Sequence, residues 1–201
     1  GVPVTAKIRI GWDQESINAP EVCHILEDCG VQAIAIHGRT RAQSYSGLAN
    51  WDVIDACART VKIPVIGNGD IHSGDDVLHR KNSTAVSGVM IGRAAMQHPW
   101  IFREAKQRLA GKTQIAPISH DERWELIVRH CRLAIHSSRY GSERHAMMAM
   151  RGRLLAYCKG FPGAKELRQL LAKVESCAQV EDIAAHSLTL VHEAEPTALS
   201  L

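Results

Sequence analysis

At 201 residues, with 45% hydrophobic content, the chain is sized for one core or for two small ones. No stretch approaches the roughly 20 apolar residues that cross a membrane, so no membrane partner is expected. A formal charge of +3 is too small to imply nucleic acid, and only its distribution along the chain can do so.

Taken in chain order, residues 4–10 read as a strand whose Lys7 and Arg9 share one face, because strand side chains alternate. Residues 15–29 place Val22, Ile25, Leu26 and Cys29 at helical spacing. A second strand, residues 33–40, runs into His37-Gly38-Arg39-Thr40, and residues 50–60 form a helix capped by Asn50. The third strand, residues 64–70, ends in Gly67-Asn68-Gly69-Asp70, and Ser73 caps a shorter helix over 73–80. The fourth, residues 88–93, closes on Gly92-Arg93. A short turn and a helix from Pro99 to about Leu109 follow.

Strands joined by single helices imply parallel pairing and right-handed crossovers. Apolar strand, polar tip and helix, repeated, is the rhythm of a (β/α) barrel, whose chemistry sits on the loops after the strands. Four such units are present, and a closed barrel needs eight. The expected fold is therefore α/β: residues 1–110 as the second half of a TIM (β/α)8 barrel, residues 111–118 as a linker, then an all-helical domain over 119–195. In that domain Ser119 to Glu122 has the form of a capping box, and Trp124, Ile127, Val128, Cys131 and Ile135 share a face. Further helices are expected over 142–158, 164–174 and 180–193, with a break at Phe161-Pro162-Gly163 and a frayed tail at 196–201.

The strand tips carry the candidate chemistry. Glycines at Gly67, Gly69 and Gly92 let backbone amides approach an anion closely, and Arg93 offers a forked cationic partner for phosphate. Asn68-Gly69-Asp70 is equally a plain turn sequence. Lys7 points either toward an anionic or electron-rich ligand or outward to solvent. His37 serves either a ligand or a structural hydrogen bond at the rim. The six cysteines are scattered without metal-ligand spacing, so no metal is expected, and their apolar settings fit a reduced, cytoplasmic compartment. From Arg139 to Lys173 eight basic residues stand against two acidic ones, and Arg144 and Arg151 fall on one helix face. Such a stripe either binds phosphates or is simply solvated.

The ordered set Lys7-Ile8-Arg9, His37-Gly38-Arg39-Thr40-Arg41, Tyr45-Ser46-Gly47, Asn68-Gly69-Asp70-Ile71, and Gly92-Arg93 with Pro99-Trp100-Ile101-Phe102 resembles the tRNA-dihydrouridine synthases, most closely the bacterial B-type. Tyr140-Gly141, Met150-Arg151-Gly152-Arg153 and Tyr157-Cys158-Lys159-Gly160 resemble that family's helical tRNA-binding domain. The resemblance implies an FMN enzyme, reduced by NADPH or NADH, that converts uridines of tRNA to 5,6-dihydrouridine. It implies flavin ring or ribityl contacts for Lys7 and His37, and ribityl-phosphate contacts for Asn68, Gly69, Asp70, Gly92 and Arg93. Arg9 lines the same rim, and Arg39, Arg144, Arg151, Arg153 and Lys159 are the candidate tRNA contacts.

The family's proton-donating cysteine, in an Asn-x-Gly-Cys-Pro segment, has no counterpart here, so no catalytic residue is assigned. The chain, which begins Gly1-Val2-Pro3, is read as the C-terminal portion of such an enzyme, and that portion is expected to be inactive alone. Arg153 and Ala156 stand where relatives tend to have His and Trp. Two other readings remain open at this point. One is another FMN or phosphate-binding barrel of the dihydroorotate dehydrogenase kind, and the other is a non-catalytic RNA-binding module.

Overall fold

The computed structural model describes residues 1–139, 141–161 and 163–194. The expected tail at 196–201, with Tyr140 and Pro162, lies outside them. The chain divides into two compact units, Gly1–Ile115 and Ala116–Leu201.

The first unit alternates strands and helices: β1 (Thr5–Arg9), α1 (Ala19–Asp28), β2 (Ala33–His37), α2 (Trp51–Thr60), β3 (Val65–Asn68), α3 (Gly74–Ser83), β4 (Gly88–Met90), α4 (Arg93–Gln97) and α5 (Ile101–Leu109). The four strands form one parallel sheet in the order β1-β2-β3-β4. The register sorts the side chains. Ile8, Ile36, Gly67 and Val89 lie in one row across the sheet, on the face that packs with Trp51, Ile54 and Cys57 of α2. Arg9, His37, Asn68 and Met90 form the last row on the opposite face, at the carboxyl ends of the strands. Alternation alone therefore gathers the polar residues of three strands at one edge of the sheet.

Local chemistry sets the helix ends. The Asn50 side chain accepts from the amides of Asp52 and Val53, and Ser73 with Asp76 makes a full capping box. Helix α1 begins at Ala19, not at residue 15 as the periodicity suggests. The Asp13 carboxylate takes the amides of Glu15 and Ser16 at 3.1 and 3.0 Å, and that local turn competes successfully with helix formation. The turn expected after Arg93 is instead the short helix α4.

The second unit holds α6 (His120–His136), α7 (Glu143–Tyr157), α8 (Ala164–Leu171) and α9 (Cys177–Ala194) around a core that includes Trp124, Ile127, Met147, Leu154 and Val180. Helix α9 starts three residues earlier than the apolar spacing suggests. Its Gln179 side chain accepts from the amides of Glu175 and Ser176, while the Ser176 hydroxyl accepts from the Gln179 amide, a capping box that extends the first turn. Among the six cysteines only Cys29 is exposed, and the other five are buried in the two cores.

Gly67 is a packing requirement. A Cβ there would collide with the Trp51 ring, whose Nε1 donates to the Gly69 carbonyl at 3.1 Å. Overpacking of this kind costs about 1–3 kcal/mol. Gly67→Ala is expected to lower unfolding free energy by that amount in urea titration. Gly92→Ala, whose methyl meets nothing within 4 Å, should stay within about 0.5 kcal/mol of the parent.

Candidate functional site

A pocket of about 240 Å³ opens at the carboxyl ends of the strands. Lys7, His37, Asn68, Gly69, Asp70, Gly92 and Arg93, the seven residues singled out from the sequence, all line it. They come from the ends of all four strands and from the turns that follow.

The turn after β3 is held in an unusual shape. Gly69 has φ +137° and Asp70 φ 49°, so both lie in the left-handed region, where a residue other than glycine needs support. Asp70 receives that support from two sides. Its Oδ1 accepts from Arg39 Nη2 at 2.6 Å, and its Oδ2 accepts from the Ala49 amide at 2.7 Å. Arg39 is 3% exposed and also donates to the carbonyls of Ser46 and Gly47. The loop after β2 and the turn after β3 are thereby clamped together. Burial pushes the Asp70 carboxyl up, and the Ala49 amide and the Arg39 guanidinium outweigh it, so the group lies below the ordinary carboxylate range.

The surrounding charge is positive. Lys7, Arg9, Arg39 and Arg93 line the pocket, and Asp70 is its one carboxylate among the described residues. Arg39 takes Asp70 as its own partner, while Arg93 lies 3.7 Å from the same oxygen, is half-exposed, and stands over the Tyr45 ring at 5.1 Å. Arg9 donates to the carbonyls of Thr40 and Ser44. Asn68 donates its Nδ2 to the Met90 carbonyl at 2.8 Å, which leaves its Oδ1 as an acceptor beside the pocket. Met90 and His72 also line the pocket, and neither is a candidate by sequence pattern. The signal for Met90 lies in the register, since it pairs with Asn68.

The candidate RNA contacts are dispersed. Arg39 is buried in the clamp. Arg144 pairs with Glu175 at 2.9 Å, and Arg151 donates to the carbonyls of Val174 and Lys173. Lys159 is exposed, and its carbonyl accepts from Arg123. Arg153 lines a groove between α6 and α7. Among the described residues no group of three or more His, Cys, Asp or Glu side chains is placed to hold a metal, and no helix is long and apolar enough to cross a membrane.

A parallel β/α unit with a cationic pocket at its strand ends is an α/β architecture whose pocket lies where such folds place their sites. The family is then specific. The model of the dihydrouridine synthase (Dus) family matches residues 1–194, and the chain belongs to that family. It is 39% identical over 185 residues to tRNA-dihydrouridine synthase B of Pseudomonas syringae pv. tomato, covering 90% of this chain and 54% of that one. It is 43% identical over 129 residues to tRNA-dihydrouridine synthase B of Shewanella oneidensis, covering 64% and 40%. It is 37% identical over 181 residues to a probable tRNA-dihydrouridine synthase of Mycobacterium leprae, covering 90% and 46%. The chain thus spans about half the length of the curated relatives it matches.

Burial, together with the charges of Arg9, Lys7 and Arg39, pulls His37 from its ordinary 6.5 down to about 4, so its ring is neutral at neutral pH. An unfolded chain takes up this proton near 6.5 and the folded chain near 4. The group's contribution to stability is therefore lost as pH falls through that window. In an NMR titration the His37 ring should shift with a midpoint near 4, and added inorganic phosphate should raise it. A midpoint near 6.5 would contradict a buried imidazole ringed by cations.

Proposed function

We propose that the chain supplies the flavin-binding half of a (β/α)8 barrel and the following helical RNA-binding domain of an enzyme that reduces uridines of tRNA to 5,6-dihydrouridine. The observation that carries this reading is the convergence of Lys7, His37, Asn68 and Arg93 on one pocket with more positive than negative charge. Four parallel strands, with α2 packed on one face, provide half of an eight-stranded ring. The names of the relatives and the match along the chain support the reaction class over a dihydroorotate dehydrogenase-like activity. A cytoplasmic location accords with it.

The residues present fit the phosphate end of FMN. Gly92 has open space where a Cβ would stand, and Arg93 beside it carries the forked cation that phosphate favours. A pocket of about 240 Å³ lies below the roughly 300–1,000 Å³ of complete ligand sites, as expected for a wall built by half of a barrel. When bound, the flavin would accept a hydride from NADPH or NADH and deliver one to C6 of the uracil ring, with an acid protonating C5. Arg93 with the Gly92 backbone would hold the phosphate, and the Asn68 Oδ1 would accept from ribityl hydroxyls. Lys7 would lie toward the ring system, where an ammonium stabilises developing negative charge. His37, kept neutral by its surroundings, would offer a hydrogen bond without adding to the positive charge. The proton donor for C5 is not assigned to any residue of this chain.

Arg39 takes no part in RNA contact in this reading, because its guanidinium is committed to Asp70 and the Ser46–Gly47 backbone. Titration of the chain with FMN, followed by flavin fluorescence, should saturate, and Arg93→Ala should weaken binding about tenfold, or ~1.4 kcal/mol. Arg59→Ala, which removes a surface pair with Asp55 and does not line the pocket, should leave it unchanged. Equal affinities for the parent and Arg93→Ala would remove the phosphate assignment.

A further inference from the structure

The helical unit contains a concavity that neither the fold nor the flavin reading uses. It is an open groove of about 500 Å³ between α6 and α7. Ala134, Ala146, Ala149 and Met150 give it an apolar lining of mostly small side chains. His130, Ser137, Arg139 and Arg153 add polar groups, and no Asp or Glu lines it among the described residues.

Arginine in this unit serves two purposes. Arg132 pairs with Glu181 at 2.7 Å and Arg144 with Glu175 at 2.9 Å, while Arg151 donates to the carbonyls of Val174 and Lys173, so these guanidinium groups face α9 or the segment before it. Arg139 and Arg153 are exposed and, among the described residues, have no carboxylate partner. Both line the groove.

His130 is fixed beside them. Its Nδ1 lies 3.0 Å from the Tyr157 hydroxyl, and the two rings meet edge-on with centroids 6.0 Å apart. Burial, then the charge of Arg153, lowers its pKa, which keeps the ring neutral at neutral pH. The Tyr157 hydroxyl thus engages Nδ1 and orients the ring at the edge of the groove.

Two exposed guanidinium groups, an imidazole held by Tyr157 and a lining of small apolar side chains suit the parts of a single nucleotide. Phosphate suits the guanidinium forks, and an unstacked base lies on apolar surface or against a guanidinium plane. A duplex keeps its bases stacked and its sugar edges outward, so it cannot insert one into a depression of this size. We infer that the groove between α6 and α7 takes one unpaired nucleotide of the RNA substrate, with Arg153 and Arg139 on its phosphates. This inference rests on the proposed action on tRNA and gives that contact a location other than the Arg144–Arg151 face.

The test is a fluorescence anisotropy titration of an unmodified tRNA transcript with the full chain and its variants. Ala149 is exposed, and Ala149→Trp fills the groove without changing charge; Ala149→Gln obstructs it with a smaller side chain should the first variant melt early. Arg153→Ala and Ala149→Trp should each weaken tRNA binding about tenfold. Arg153→Ala should also flatten the salt dependence by about one phosphate contact, whereas Ala149→Trp leaves the slope alone. Arg129→Ala, on the same helix as His130 but outside the groove, should cost less than about twofold. Wild-type affinity in both Ala149 variants would overturn the inference and leave the proposed function standing, as would an equal loss from Arg129→Ala and Arg153→Ala. No saturable tRNA binding by the parent chain would overturn both.

Discussion

The pairing of Arg39 with Asp70 is the interaction on which the strand-end site depends. It joins residues 31 positions apart at 2.6 Å, with Arg39 almost fully buried. Removing one partner of such a pair leaves an uncompensated charge and costs about 3–5 kcal/mol. The geometric consequence matters as much as the energy. Asp70 can stay in a left-handed conformation because both of its carboxylate oxygens are fixed, one by Arg39 and one by the Ala49 amide. That conformation sets the turn whose Asn68, Gly69 and Asp70 line the pocket. Trp51 fastens the same turn from the other face of the sheet through its bond to the Gly69 carbonyl.

The clamp also sets the electrostatics. A single carboxylate is divided between Arg39 and, more distantly, Arg93, so it neutralises no more than one of the pocket's arginines. The remaining positive charge discourages a proton on His37 and favours an anionic ligand. Arg93 is the exposed member of the group and Arg39 the buried one.

Much of the first unit was legible in the sequence because alternation and turn chemistry act over short distances. Four apolar strands with polar tips could be read directly, and parallel register then brings those tips together without any further information. The fate of Arg39 was not legible, since an arginine next to a glycine at a strand end looks the same whether it faces solvent or a carboxylate 31 residues away. The partners of Arg144 and Arg151 were not legible either. Their spacing draws a basic stripe, and Glu175, which engages them, belongs to the segment before a different helix. The α6–α7 groove has no signature in the sequence, because His130 and Arg153 belong to separate helices and neither helix marks it alone. The helix starts at Ala19 and Cys177 are not set by apolar spacing: the Asp13 turn delays the first, and the Ser176–Gln179 capping box advances the second.

In the proposed function, phosphate is the part of the flavin that these four strands recognise. The most direct test compares the affinity of the chain for FMN with its affinity for riboflavin, which has the same ring and ribityl chain and no phosphate. Tighter binding of FMN by at least about tenfold is the predicted result, from the worth of a charge-assisted phosphate contact. Equal affinities would mean that the pocket recognises the ring alone, and the assignment of Gly92 and Arg93 would fall.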